Sequence, residues 1–279
     1  MKSMPNEKNH QFILYHKPVG VTSFQALSPL KRTWGKKLGH TGTLDQFAHG
    51  LLGVLTGNLT KLVPLLTGLD KIYEAVVEFG RQTDTLDPEG AVICQGRVPV
   101  LEELQESLTK FHGELWQIPP EYSAVHVNGK RASQLARAGA SVDLEARKIE
   151  IFDLKLLDWN PPFAKIRVHC SKGTYIRAIA RDWAISMGTC GMLTSLFRQQ
   201  VGPFQCPEHQ EILSPRQLFQ SLNIPVYTTE QPEQARFGRP PSLWGSWAPV
   251  PQLALMDTDD NLVAVLKWDG DWQYHFVCA

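Results

Sequence analysis

Gly39-His40-Thr41-Gly42-Thr43-Leu44-Asp45, answered far downstream by Gly173-Thr174-Tyr175-Ile176-Arg177, decides the fold of this chain. Each stretch is a glycine-punctuated loop that ends on a charged side chain. Glycines permit positive φ and let another molecule approach the backbone closely. After Asp45 the chain is apolar from Phe47 to Leu66. Ala48, Leu51, Leu52, Leu55 and Leu59 recur at helical spacing, which predicts a helix with Asp45 at or just before its start. An aspartate there has two possible uses. It can cap the helix, or it can serve as a nucleophile if a neighbouring arginine keeps it ionised in a dry pocket. Arg177 at a second helix start is either that partner or a surface arginine pairing with Asp182.

Working outward, Tyr73, Ala75, Val77 and Phe79 alternate with polar or smaller residues and predict a strand. Leu101, Leu104, Leu108 and Phe111 predict an amphipathic helix. Residues 149–159 and 164–170 predict two more strands, followed by a helix from Thr174 to Met187 that Gly188 ends. Between them, Asn128 to Lys148 is polar and basic and too long for a tight turn, so a surface flap is expected. The 225–251 stretch holds Pro225, Pro232, Pro240, Pro241, Pro249 and Pro251 and reads as a linker into short strands at 262–267 and 272–277. The fold class expected is α+β, a large domain on a mixed, mostly antiparallel sheet followed by a small all-β domain. The boundaries are 1–224, with an insertion at about 125–150, and 225–279.

Composition narrows the function by exclusion. At 279 residues and 43% apolar, the chain has material for about two domains with real cores. No apolar run approaches the length of a membrane span, and Met1 to Gln11 carries no apolar leader core. Its five scattered cysteines, without a C-x-x-C, read as reduced thiols of a cytoplasmic protein. The net charge is zero, yet it is unevenly spread: +6 over 1–61, −7 over 62–127, +6 over 128–200 and −5 over 201–279. Two basic segments can line a groove for a polyanion, because a bound polyanion responds to the local field of a cleft. Equally, each can be a solvated face.

Single residues offer further candidates. Tyr73 and Tyr175 can stack on an extruded base or sit in a core. His40 can wedge into nucleic acid. Lys17, in His16-Lys17-Pro18-Val19-Gly20-Val21-Thr22-Ser23, resembles a phosphate contact, although the P-loop spacing is absent. The nine histidines form no metal-ligand pattern, and no G-x-S-x-G or G-x-G-x-x-G occurs, so neither a metal nor a nucleotide cofactor is expected.

The blocks in order are Lys17–Ser23, Gly39–Asp45, Thr60-Lys61, Lys71-Ile72-Tyr73 and Gly80–Asp87. Gln117–Ala124, Gly129–Ala132, Gly173–Arg177 and Leu196-Phe197-Arg198 complete them. Together they resemble the bacterial tRNA pseudouridine-55 synthases over roughly residues 12–205. The resemblance implies a pseudouridine-synthase catalytic domain, a thumb-like insertion and a PUA-like RNA-binding domain at the C-terminus. It implies isomerisation of uridine 55 in the T-arm stem-loop of tRNA, without cofactor, metal, membrane or obligate protein partner, by a cytoplasmic monomer. By the same resemblance Asp45 is the nucleophile, Arg177 its partner, and Tyr73 stacks on the flipped uracil and is a candidate acceptor for the C5 proton. Tyr175 contacts the base, His40 fills space left by extruded nucleotides, Leu196 lines the pocket, and Lys17 and Lys61 bind substrate. His16 and Gln46 depart from the family pattern, which commonly has Asp and Pro there.

Overall fold

Where one face of a strand is buried and the other half open, the period-two pattern survives folding. The computed structural model describes residues 10–127, 129–140 and 142–278. Residues 1–9, over which no leader was expected, and Asn128, at the head of the expected flap, lie outside the described residues.

The chain opens with β1 (Phe12–Lys17), α1 (Ser23–Trp34), β2 (Leu38–His40) and β3 (His49–Thr56). A 3₁₀ turn (Gly57–Leu62) and the short α2 (Val63–Thr67) lead into β4 (Lys71–Phe79) and a hairpin of β5 (Arg81–Thr83) and β6 (Val92–Gln95). Then come α3 (Leu101–Leu108), β7 (Gly113–Gln117), the pair β8 (His126–Val127) and β9 (Lys130–Arg131), and α4 (Ala132–Arg137). The long strands β10 (Arg147–Asn160) and β11 (Phe163–Cys170), α5 (Ile176–Ser186) and β12 (Gly191–Val201) follow. The last part comprises β13 (Phe204–Gln205), β14 (Glu211–Leu213), α6 (Pro215–Ser221), β15 (Val226–Thr228) and α7 (Pro232–Arg236). It closes with β16 (Gln252–Met256), β17 (Leu262–Trp268) and β18 (Trp272–Val277).

Ten strands form one sheet in the order β14-β1-β3-β12-β4-β11-β10-β7, with β2 on β3 and β13 on β12. Its pairings among the described residues are antiparallel except where β12 runs parallel to β3, Phe197 beside His49 and Arg198 beside Gly50. The mixed, mostly antiparallel sheet expected from the sequence is therefore present. A four-stranded sheet, β15-β16-β17-β18, forms the small C-terminal β unit.

Helices α3 and α5 cover one face of the large sheet. Tyr73, Ala75, Val77 and Phe79 of β4 meet Ile176, Ile179 and the fully buried Trp183 of α5 there. The Trp183 indole N–H donates to Ser107 Oγ at 2.8 Å, so the large ring is buried with its polar atom satisfied. On the other side of β1 and β3, Phe12, Leu14, Leu51 and Leu55 share a core with Met256, Val265 and Phe276 of the C-terminal sheet.

One expectation fails. The helix read over 47–66 is strand β3 followed by the 3₁₀ turn and α2. The physical reason is burial on both faces: Leu51 and Leu55 enter the core shared with the C-terminal sheet, while Leu52 and Val54 enter a second core against α1. A strand buried on both sides shows no alternation, and its leucines then imitate a helical stripe. Asp45 is accordingly in a strand-to-strand loop and caps no helix. The 128–148 segment is also more than a surface loop. It contains β9 and α4, and Ala132, Val142 and Leu144 pack with Val125 in a small core that Tyr175 joins.

Candidate active site

Asp45 is placed by contacts to the backbone on either side of it. The block Lys17–Ser23 supplies most of them. Its Thr22 caps α1 in a capping box with Gln25, and the next residue, Ser23, is buried with its hydroxyl bridging the N–H (2.8 Å) and C=O (3.1 Å) of Leu44. Gly20 N–H donates to the carbonyl of Gln46 at 2.9 Å. From β12, Arg198 is buried and its guanidinium donates to the carbonyls of Leu51 (2.7 Å), Gly42 (3.1 Å) and Thr43 (3.4 Å). Gly50 permits this approach: at φ +112° a Cβ there would lie 2.4 Å from the Arg198 carbonyl. The parallel junction of β3 and β12 is thus where the loop is clamped.

Lys17 is completely buried, and its ammonium donates to the carbonyls of Val21 (2.6 Å), Pro18 (2.9 Å) and Gln46 (3.4 Å). A phosphate contact was read for it from the sequence. Two of these acceptors belong to its own turn, and the third and longest contact, to Gln46, reaches the residue after Asp45. Burial, opposed by the charge of Asp45 and reinforced by that of Arg198, lowers its pKa to about 8 from 10.5. Between those two values the unfolded chain holds a proton that the folded protein has released, so stability rises with pH across that window. The stability difference between wild type and Lys17→Met is expected to grow from about pH 8 to about pH 10.5, by up to about 1.4 kcal/mol per unit of pKa displacement. Urea unfolding at both ends of the window checks it, and a flat or shrinking difference refutes it.

The Asp45 carboxylate, about a third exposed, receives a two-pronged bond from Arg177: Nε to Oδ2 at 2.9 Å and Nη2 to Oδ1 at 3.0 Å. Arg177 itself is buried, and its remaining donors go to the carbonyls of Thr85 (2.6 Å) and Tyr122 (3.0 Å) and to Asp87 Oδ2 (3.2 Å). All five N–H groups of the guanidinium are engaged, in a fork geometry that lysine cannot reproduce. Asp87 is a second, more deeply buried carboxylate on the same cation. Burial pushes its pKa up, while the Thr85 hydroxyl and Arg177 pull it back.

Around this pair, Tyr73 of β4 is nearly buried beside Arg198, its Cα partner across the strands. Burial pushes its phenol up, and a hydrogen bond from Arg198 works the other way. Leu196 is buried in the same core as Tyr73 and Leu44. Tyr175 stands at the start of α5 with both backbone polar groups held by Gln117, N–H to Oε1 at 2.8 Å and carbonyl from Nε2 at 3.1 Å. His40 ends β2, and burial followed by the nearby Arg198 charge lowers its pKa, so the ring is neutral near pH 7. Its Nδ1 is buried with no hydrogen-bond partner.

Asp45 and Arg177 are joined directly, Tyr73 and Leu196 share one core with Leu44, Tyr175 immediately precedes the helix that carries Arg177, and His40 lies on β2 opposite Val54, further along β3. Lys61 is not among them. It lies past the end of β3 away from Asp45, where its ammonium sits 5.2 Å over the Phe276 ring and reaches the Val277 carbonyl at 3.3 Å. Sequence reasoning assigned no role to Asp87, Arg198, Gln117 or Ser23. All four lie inside the quoted blocks, but nothing local says which donors and carbonyls they meet. Among the described residues, no group of three or more His, Cys, Asp or Glu side chains is gathered to hold a metal ion. No helix among them is long and apolar enough to cross a membrane.

Comparison with known proteins bears on the family and the fold. Residues 31–176 match the model of the TruB family pseudouridylate synthase (N terminal domain). The chain is 41% identical over 227 residues to tRNA pseudouridine synthase B of Treponema pallidum (strain Nichols), covering 72% of this chain and 61% of that one. It is 41% identical over 198 residues to the Borreliella burgdorferi (strain ZS7) protein of the same name, covering 70% of each. The chain thus spans about three fifths of the Treponema relatives' length. Among solved structures, it resembles a chain of an H/ACA RNP bound to a substrate RNA containing 2'-deoxyuridine. The TM-score is 0.67 at 20% identity, over 94% of this chain and 78% of that one. A Cbf5-Nop10-Gar1 complex gives a TM-score of 0.66 at 22% identity, over 94% and 79%. At such identities these two likenesses bear on the fold.

Proposed function

The chain belongs to the TruB family of pseudouridylate synthases, and on that premise we propose that it isomerises uridine 55 in the T-loop of tRNA to pseudouridine. The observation that carries the reading is the Arg177 fork on a part-exposed Asp45 carboxylate. The reaction breaks N1–C1′, turns the uracil and joins C5 to C1′. C5 loses a proton and N1 gains one, so substrate and product are isomers and no external electron carrier is needed. An ionised carboxylate can attack C6 of uracil, attack C1′ of the ribose, or take a proton at C2′, and each route needs Asp45 charged. Arg177 holds both carboxylate oxygens in a fixed orientation.

The uracil is reached by extrusion from the RNA loop, since its reacting atoms are hidden in the stack. Tyr73 and Tyr175 then supply aromatic and hydrogen-bonding surface, Tyr73 being the candidate acceptor of the C5 proton, and Leu196 an apolar wall. Tyr73 is protonated near neutral pH, so to accept the C5 proton it first gives its own to N1, the atom that gains one, and the adjoining Arg198 cation lowers the penalty of the phenolate between the two transfers. His40 enters the space vacated in the RNA loop.

In this reading residues 1–224 form the catalytic domain, 125–150 act as a thumb on the T-arm, and 225–279 act as a PUA-like RNA-binding domain with Lys61 at their junction. The protein works as a cytoplasmic monomer, without cofactor or metal. Incubation with an unmodified T-arm hairpin carrying 5-tritiated uridine at the target position tests the function. Release of tritium to solvent, one per uridine converted, is expected. Tight binding without release would make the protein a T-arm-folding factor and overturn the enzymatic reading.

A further inference from the structure

The five cysteines are all unbridged, and the segments that carry two of them are packed together. Cys94 is exposed on β6, and Cys190 is buried immediately before β12. Backbone contacts bring these segments together. Gly80 N–H donates to the Cys190 carbonyl at 2.8 Å, Gly96 N–H donates to the Gly80 carbonyl at 3.0 Å, and the Thr189 hydroxyl donates to the Arg97 carbonyl at 2.6 Å. Gly96, on the same side of its strand as Cys94 two residues earlier, points its open face at Cys190: a Cβ there would lie 3.5 Å from the Cys190 Sγ. Cys94 is near enough to Cys190 to raise its thiol pKa.

We propose that Cys94 and Cys190 form a reversible redox site, a dithiol that a peroxide closes to a disulfide stapling the β5–β6 hairpin to the head of β12. The two thiols divide the work by exposure. Cys94 is accessible and meets the oxidant, whereas burial, and then the neighbouring Cys94, raise the Cys190 thiol pKa and keep it protonated and slow towards bulk reagents. In the first step the Cys94 thiolate takes one oxygen from hydrogen peroxide. The O–O bond breaks, and hydroxide leaves and combines with the thiol proton as water. In the second step the Cys190 sulfur attacks the Cys94 sulfenic acid, the S–S bond forms, the S–O bond breaks, and the Cys190 proton leaves with the oxygen as water. Two thiols and one peroxide give one disulfide and two waters, the peroxide taking both electrons.

What the staple would hold is specific. The loop between β5 and β6 carries Thr85 and Asp87, two of the groups that grip Arg177. Thr83 hydroxyl bonds the Asp87 carbonyl at 2.6 Å and touches Met192 Sδ at 3.6 Å on β12, and Leu193 N–H donates to Leu86 at 3.1 Å. A bridge from Cys94 to Cys190 therefore ties the far strand of this hairpin to the same β12 segment that already supports the near one.

The test uses the full chain, reduced and then exposed to hydrogen peroxide under native conditions, quenched with an alkylating agent and mapped by peptide mass spectrometry. A cross-linked peptide pair joining Cys94 to Cys190 is expected. Dithiothreitol should reverse it, and hydrogen exchange in residues 81–95 should slow in the oxidised form. Cys94→Ser, an exposed substitution outside the site, is expected to abolish the cross-link and leave basal pseudouridine formation unchanged. Cys190→Ala gives the same loss of the cross-link if it folds. Sulfinic or sulfonic acid at Cys94 with Cys190 still alkylated on denaturation would overturn the proposal. So would a cross-link that persists in Cys94→Ser.

Discussion

Asp45→Asn is expected to lower turnover of an unmodified tRNA transcript by at least about 10⁴-fold, while the dissociation constant stays within about threefold of wild type. The substitution keeps the shape of the side chain and removes its charge. One amide atom becomes a donor, and whichever way the amide turns it faces a donor of Arg177, whose Nε and Nη2 both point at this group. One prong of the fork is lost, and with it the charge of the carboxylate. The loop itself should not move. Gly42 and Thr43 are held by Arg198, Leu44 by Ser23, and Gln46 by Lys17 and Gly20, all through backbone atoms that the substitution leaves alone. Binding should persist because removal of a negative charge does not repel a polyanion. Single-turnover rates and filter binding on the same preparation separate the two effects. A variant with wild-type turnover would end the assignment of Asp45.

How much of this was legible beforehand depends on how each element is buried. Strand β4 and helix α5 could be read because each has one buried and one open face, so periodicity reports directly on structure. Strand β3 could not, because its two faces enter different cores and its composition carries no phase. The charged residues divide in a similar way. Asp45 and Arg177 stand in glycine-rich blocks, and the blocks single them out. Asp87 competes in its own stretch with Asp84 and Glu89, and only the approach of Arg177 from a helix some ninety residues later distinguishes it. Lys17 could not be placed from the sequence, where a lysine beside a glycine-containing turn resembles a phosphate contact. The turn instead folds its own carbonyls back onto the ammonium, and such chain reversal is set by tertiary contacts with the Asp45 loop.

Arg177→Lys should reduce kcat by about 10²-fold, with KM changed by less than about threefold, because the lost interactions act on the reacting carboxylate more than on bound RNA. The guanidinium meets five acceptors on four residues: both oxygens of Asp45, Asp87 Oδ2, and the carbonyls of Thr85 and Tyr122. An ammonium has three donors and no planar fork, so at least two of these acceptors lose their partner. Asp45 retains a positive neighbour in the variant. What it loses is its fixed orientation, and a reacting oxygen free to swing forfeits rate. Stability should fall as well, by about 1–3 kcal/mol, since an unsatisfied buried acceptor keeps its desolvation penalty. Asp87→Asn distinguishes orientation from charge. It leaves Arg177 its two bonds to Asp45 but takes away the second carboxylate that anchors the guanidinium from behind, and a smaller loss of about tenfold in kcat is expected. If both variants folded and kept wild-type kcat, the buried cation between two carboxylates would be a structural pair alone, and the orientation of Asp45 would have to come from the backbone clamps around its loop.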